Sequence, residues 1–212
     1  MMSRKGIRNM RALPMKKKWT VEEYLAFDRA ADVKHEYLDG EVYAMAGAKP
    51  EHNIIAANTV ITIGSQILSG NCTIFSSDQK VDIGQAGLYA YPDIAIVCGQ
   101  PIYDDQAGDM LRNPTLLVEV LSPATEKYDR TEKFRRYQSC ASLCDYVLIA
   151  QDRVLVEVFS RQADDRWLYQ AAYDLDSTIA LESIGCTLAL ADVYRRVSFE
   201  EPAEPDHNPP LP

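Results

Sequence analysis

A chain of 212 residues with 47% hydrophobic and 25% charged side chains has room for one globular domain of ordinary size and at most a second small one. Its 31 acidic against 22 basic residues give a formal charge of −9, which excludes a molecule built over its whole surface to coat nucleic acid. Such a partner has to meet a local basic patch. No apolar run approaches the roughly 20 residues of a membrane-spanning helix, and the first 15 residues lack the apolar stretch of a secretory signal, so the expected location is cytoplasmic, with no membrane partner.

Charge is unevenly placed along the chain. Residues 1–18 carry Arg4, Lys5, Arg8, Arg11, Lys16, Lys17 and Lys18 without an acid, which leaves 15 basic and 31 acidic residues, a net of −16, for the rest. That composition reads as a disordered basic arm, and a translation start at Met15 would remove most of it. Residues 200–212 hold five of the eleven prolines and four acids, a solvated tail unable to bury a core. The domain is therefore expected over 19–199. The five cysteines, Cys72, Cys98, Cys140, Cys144 and Cys186, include only one close pair, so buried free thiols are expected rather than a zinc site.

Within the domain, Thr20 and Glu23 form a capping box ahead of Val21, Tyr24, Leu25 and Phe27, predicting a short helix. The run 35–38, then Asp39-Gly40, then 41–45 reads as a hairpin around an Asp-Gly turn, with Glu36 and Glu41 both on its strands. From Asn53 to Leu68 the residues Ile54, Ile61 and Leu68, with Val60 and Ile67 beside them, recur at helical spacing and predict a helix packed on a sheet. Strands are expected at 73–75, 80–83, 94–97, 116–121, 146–149 and 154–159. Of these, 94–97 and 117–121 are apolar enough to be covered on both faces. A helix from about Asp129 to Cys140, with Asp129 as N-cap and Glu132 answering it, interrupts the strands, and a hairpin-like region at 167–173 closes the fold.

Two acids stand out because each belongs to a strand that otherwise reads as buried. Asp93 follows Pro92 at the start of Ile94–Val97, and Glu119 lies inside Leu116–Leu121. An ionised carboxylate without a partner costs several kcal/mol to bury, so each needs a counter-charge. A structural salt bridge would supply one. So would a hard divalent cation, because two carboxylates on adjacent strands can bind Mg²⁺, or Mn²⁺ as its substitute, and leave positions for water and phosphate.

Pro92-Asp93, then Glu119-Val120-Leu121, then Lys133 resemble the signature of PD-(D/E)xK nucleases. The layout as a whole is similar to the Uma2 family of restriction-endonuclease-like proteins, through the hairpin Glu36 to Glu41, His52 at the next helix, Pro92-Asp93, the stretch Glu119 to Pro123, and Asp129, Lys133 and Tyr137 spaced by four. The resemblance covers residues 19–199. It implies an α/β fold with a restriction endonuclease-like mixed central sheet flanked by helices, preceded by an N-terminal helix and hairpin. Two departures stand against the general nuclease pattern. Leu121 occupies the position of the usual lysine two residues after the glutamate, so Lys133 would act from the following helix. The stretch 142–147 also lacks the family's glycine-led turn and tryptophan, which bears on packing more than on chemistry.

The implied activity is a Mg²⁺-dependent endonuclease that hydrolyses phosphodiester bonds in DNA; a homodimer is expected separately, because one small acidic domain offers little surface to hold a duplex and two sites suit the cutting of two strands. Asp93 and Glu119 would hold the cation, Lys133 would orient the attacking water or stabilise phosphoryl charge, and Glu36 would be a third acid. Glu41 is the alternative to Glu36, since the spacing leaves open which of them faces the cleft. His52 reads first as flanking its helix and Tyr137 as packing near the site rim. Lys127, Arg130, Arg135 and Arg136, beside Lys133, make the one patch suited to a phosphate backbone. A non-catalytic binding module that kept the nuclease fold is the alternative, and a glycoside hydrolase is disfavoured because no aromatic sugar platform is evident.

Overall fold

The computed structural model describes residues 18–45, 47–104 and 107–199. The basic arm up to residue 17 and the tail 200–212 lie outside them.

The chain opens with α1 (Val21–Ala30), whose capping box is formed as expected: the Thr20 hydroxyl accepts from the Glu23 N–H, and the Glu23 carboxylate accepts from the Thr20 N–H. The predicted hairpin follows as β1 (His35–Leu38) and β2 (Glu41–Ala44). Its turn places both Asp39 and Gly40 at positive φ, +46° and +90°, the combination a tight two-residue hairpin demands and an Asp-Gly pair tolerates. A side chain at Gly40 would also meet Lys18 at 2.8 Å.

Helix α2 (Pro50–Ile67) begins three residues earlier than the periodicity indicates, with proline in its first turn. The stripe it turns to the core matches the expected one only in part: Ile67 is buried and Val60 packs against the core, but Ile61 and Leu68 do not. Ile55, Asn58, Thr59, Ile63 and Ile67 are buried, whereas Ile61 and Leu68 are 57% and 84% exposed. The helix carries isoleucines on more than one face, so spacing alone did not select the packed one.

Eleven further strands complete two sheets and a hairpin. They are β3 (Cys72–Ser76), β4 (Lys80–Ile83), β5 (Leu88–Ala90), β6 (Ile94–Cys98), β7 (Met110–Leu111), β8 (Leu116–Leu121), β9 (Asp145–Ala150), β10 (Val156–Arg161), β11 (Trp167–Ala172), β12 (Thr178–Leu181) and β13 (Cys186–Ala189). The larger sheet has the order β11-β10-β9-β8-β6-β3 and is mixed, with β8 and β9 parallel and the other pairs antiparallel. A second sheet, β2-β1-β5-β4-β7, joins the N-terminal hairpin to the expected β4 and to β5 and β7, strands of three and two residues, too short for a sequence pattern to announce. The hairpin β12–β13 and a last helical turn (Leu190–Val193) close the fold, a part assigned in the sequence reading to 167–173, which instead forms the edge strand β11.

The large sheet is covered on both faces. Ile94, Ile96, Leu116, Val118, Val120, Val147 and Ile149 pack towards α2, the β12–β13 hairpin and the last helical turn. Ala95, Val97, Leu117, Leu121, Tyr146 and Leu148 pack on the opposite side, towards the second sheet and a helix over 126–137, labelled α3. Burial on both sides explains why β6 and β8 are almost continuously apolar. Side chains alternate along a strand, so Glu119 shares the face of Leu117 and Leu121.

Two cysteines depart from the expectation of free thiols. Cys72 and Cys98 are directly paired across β3 and β6 and form a disulfide, which nothing in their spacing of 26 residues indicated. Cys140, Cys144 and Cys186 are free.

Candidate active site

Four elements distant in sequence bring acids to one place. Asp93 stands immediately before β6 and Glu119 in the middle of β8, and the antiparallel register that sets Ile94 opposite Val118 makes the two acids neighbours across the ladder. Asp93 Oδ2 accepts a hydrogen bond from the Val120 N–H at 2.7 Å. Glu36 reaches the site from β1, where its Oε1 accepts from the Tyr91 N–H at 3.2 Å. The hairpin question is thereby resolved geometrically: Glu41 instead takes a hydrogen bond from the Tyr43 hydroxyl on the exposed side.

Helix α3 supplies the cation. It runs through a π-helical turn, Asp129–Lys133, between the α-helical pieces Glu126–Tyr128 and Phe134–Tyr137, a departure often found at functional sites. Lys133 Nζ lies 2.9 Å from Glu119 Oε1, 3.0 Å from Glu36 Oε1 and 3.7 Å from Asp129 Oδ1. One turn on, the fully buried Tyr137 donates its hydroxyl to Glu119 Oε1 at 3.1 Å. Tyr137 is therefore inside the site rather than at its rim.

Asp129 is a correction. The helix starts three residues before it, and its carboxylate is buried beside Lys133 instead of capping a helix end. Spacing of i, i+4 between Asp129 and Lys133 was the signal for a shared helix face, masked by the capping pattern with Glu132. His52, expected first at the flank of its helix and otherwise as a candidate site residue, reaches Asp93. It lies within the first turn of α2, with Nε2 3.3 Å from Asp93 Oδ2.

Electrostatics follow from burial. Desolvation pushes the Glu119 carboxyl well up, with Asp129, Asp93 and Glu36 acting in the same sense and Lys133 opposing them. Burial also lifts Asp129, against the pull of Lys133. Desolvation alone would lower the Lys133 ammonium, but Glu119 and Glu36 outweigh it and keep it protonated. Burial likewise works against a charged His52, and Asp93 more than compensates, raising its pKa.

Of the expected phosphate-binding cations, two are engaged internally. Arg136 is buried and bonds the Ala86 carbonyl, Asp39 and Glu132. Arg130 meets Glu126 and Glu157. Arg135 pairs with Glu132 but stays largely exposed, and Lys127 is exposed.

A second buried polar group, which no sequence motif marks, supports this one. Asp28 of α1 accepts from Lys80 Nζ at 2.7 Å, the Tyr91 hydroxyl at 2.7 Å and the His35 N–H at 2.7 Å. It thereby ties α1 and β4 to the segment that leads through Tyr91 into Asp93.

Asp93 and Glu119 offer the hard carboxylate oxygens that Mg²⁺ or Mn²⁺ takes. Among the described residues no three His, Cys, Asp or Glu side chains are arranged to ligate one ion. These donors fit a cation that draws its remaining ligands from water, backbone oxygen and phosphate, as Mg²⁺ commonly does. Among the described residues no helix is long and apolar enough to cross a membrane.

Comparison with known proteins agrees with this architecture. A crystal structure from Anabaena variabilis ATCC 29413, described as "a putative nuclease belonging to DUF820", superposes with a TM-score of 0.69 over 82% of this chain and 97% of that one; at 19% identity the likeness is one of fold, restriction endonuclease-like. Two proteins of Synechocystis sp. (strain ATCC 27184 / PCC 6803 / Kazusa) are similar in sequence. "Uncharacterized protein slr1290" is 35% identical over 182 residues, covering 86% of this chain and 94% of its own, and "Uncharacterized protein sll1609" is 32% identical over 149 residues, covering 70% and 84%. Residues 21–191 match Uma2, described as "Putative restriction endonuclease", and the chain belongs to that family.

Proposed function

We propose that the protein is a divalent-cation-dependent endonuclease that hydrolyses phosphodiester bonds in DNA. The observation that carries the reading is the convergence of Asp93, Glu119, Lys133 and Glu36 from β6, β8, α3 and β1. Asp93 and Glu119 hold Mg²⁺, or Mn²⁺ in its place. A cation held there supplies charge neutralisation and lowers the pKa of bound water. Lys133 stabilises negative charge on the phosphoryl oxygens, Glu36 and Tyr137 fix the positions of Lys133 and Glu119, and His52 orients Asp93. Lys127 and Arg135, the more exposed cations of α3, meet the phosphate backbone, and the active species is a homodimer with one site for each strand. Water attacks phosphorus as its proton is released to solvent, the bond from phosphorus to the leaving sugar oxygen breaks, and that oxygen takes up a proton from a solvent water.

The test is nicking of supercoiled plasmid with Mg²⁺ or Mn²⁺. Wild type should nick, chelator should stop it, and Glu119→Gln should reduce the rate at least about 100-fold, as removal of a group central to transition-state charge does. Nicking that persists in Glu119→Gln would exclude this site.

One observation favours a non-catalytic binding module. Lys133 already compensates Glu119 and Glu36 at ion-pair distance, so the acids are stable without a bound cation. Under that reading wild type binds DNA and never cuts it.

A further inference from the structure

Beside the acids lies an open groove of about 340 Å³, lined by His52, Asn53, Ala56, Ala57, Val60 and Ile61 of α2, by Ser76 and Ser77 after β3, and by Asp93. The helical residues fall at i, i+1, i+4, i+5, i+8 and i+9, a single stripe of α2. It includes Val60 and Ile61, two of the residues that periodicity placed towards the sheet. It leaves Ile61 57% exposed, while the alanines keep the groove open.

The groove is continuous with the candidate site because His52 and Asp93 belong to both. Those two side chains are each 15% exposed, against 13% for Glu36, 6% for Glu119 and 5% for Lys133, so the groove is one of the open approaches to the acids. Among the described residues no lysine or arginine lines it, and one wall ends in a carboxylate. The nearest cationic groups are already paired, His52 with Asp93 and Lys34, which bonds Ser77, with Asp78, so a phosphate finds little free counter-charge here. An uncharged, flat, partly apolar group needs none: the wall of Ala56, Ala57, Val60 and Ile61 suits a ring face, and the hydroxyls of Ser76 and Ser77 with the Asn53 amide suit a polar ring edge.

We propose that this groove is a nucleobase subsite, holding one unstacked base of the DNA strand whose neighbouring phosphate reaches Asp93 and Glu119. The inference rests on the nuclease reading and deepens it. Bases in an intact duplex are stacked on both faces, so the groove selects single strands, bulges or flaps over continuous duplex. The acidic net charge and the internal engagement of Arg130 and Arg136 agree with a grip that relies on a base rather than on phosphates alone.

The experiment uses the full chain and a short DNA oligonucleotide carrying 2-aminopurine, presented as single strand, as a one-base bulge or as perfect duplex. Fluorescence titration is run with Ca²⁺, and strand integrity is checked on a gel. Wild type should bind the single strand and the bulge about tenfold or more tighter than the duplex, the scale of one base-stacking contact. Ala57→Leu, which fills the groove at an exposed position, and Ile61→Gln, which removes its apolar wall, should erase most of that preference with circular dichroism unchanged. Equal affinity for all three DNAs, no binding by wild type, or a preference that survives both substitutions would overturn the subsite. Cleavage of the same strands with Mn²⁺ judges the nuclease reading separately. Groove-dependent binding without cleavage overturns the nuclease and keeps the subsite, whereas duplex cleavage unchanged by both substitutions does the reverse.

Discussion

Asp93 accepts a hydrogen bond from the backbone N–H of Val120, the residue after Glu119, at 2.7 Å. The two acids are therefore spaced by the sheet ladder rather than by flexible side chains. A preorganised pair of this kind is what a cation or a transition state rewards, because no reorganisation is needed when charge arrives.

If these acids hold the cation, calorimetric titration with Mn²⁺ should show binding heat for wild type and none for Asp93→Ala or Glu119→Ala. Heat that persists unchanged in both variants places the cation elsewhere.

Lys133 is buried against Glu119 and Glu36, so its removal acts on stability as well as on rate. Lys133→Met leaves the acids without their counter-charge, and breaking such a pair costs about 3–5 kcal/mol. We expect a lower urea midpoint, partly restored by Mn²⁺, which replaces the missing positive charge, together with a loss of about 100-fold to 1,000-fold in cleavage rate. A variant as stable and as fast as wild type refutes the role of this lysine.

Asp28 gives the fold a defined acid sensitivity. Burial lifts its carboxyl, but the bonds from Lys80, Tyr91 and the His35 N–H outweigh that and hold it below the usual carboxylate range. A depressed folded-state pKa contributes stability above the unfolded value of about 3.9 and loses it as pH falls through the folded value. Asp28→Asn should thus be less stable at neutral pH, with Lys80 left buried and unpaired, and should lose less further stability than wild type between about pH 5 and pH 2. Parallel urea-midpoint profiles for the two proteins would contradict this.

Arg136→Ala should behave as a stability variant. Its guanidinium joins α3 to Asp39 of the hairpin turn and to the Ala86 carbonyl, so thermal melting should fall while the salt dependence of DNA binding stays unchanged. Arg135→Ala and Lys127→Ala, at exposed positions, should instead reduce that salt dependence, each by about one counterion.

The proposed homodimer is checked by light scattering at micromolar concentration and physiological salt. A dimer mass is expected, since one small acidic domain offers little surface to hold a duplex, and a monomer mass counts against it.

Local chemistry was legible in the sequence. The capping box of Thr20 and Glu23, the Asp39-Gly40 turn and the apolar run of β8 each depend on residues within a few positions of one another, and all three stand as expected. The acids Asp93 and Glu119 were visible for the same reason, as charges at the start of one apolar run and inside another. Tertiary structure decided the remainder. It chose Glu36 over Glu41, turned Asp129 into the site, paired Cys72 with Cys98, buried Arg136, and set Ile55, Ile63 and Ile67 of α2 against the sheet in place of Ile54, Ile61 and Leu68. Periodicity shows that a helix or strand has an apolar face, but where more than one face qualifies, the packed one is fixed by the elements that arrive against it from elsewhere in the chain.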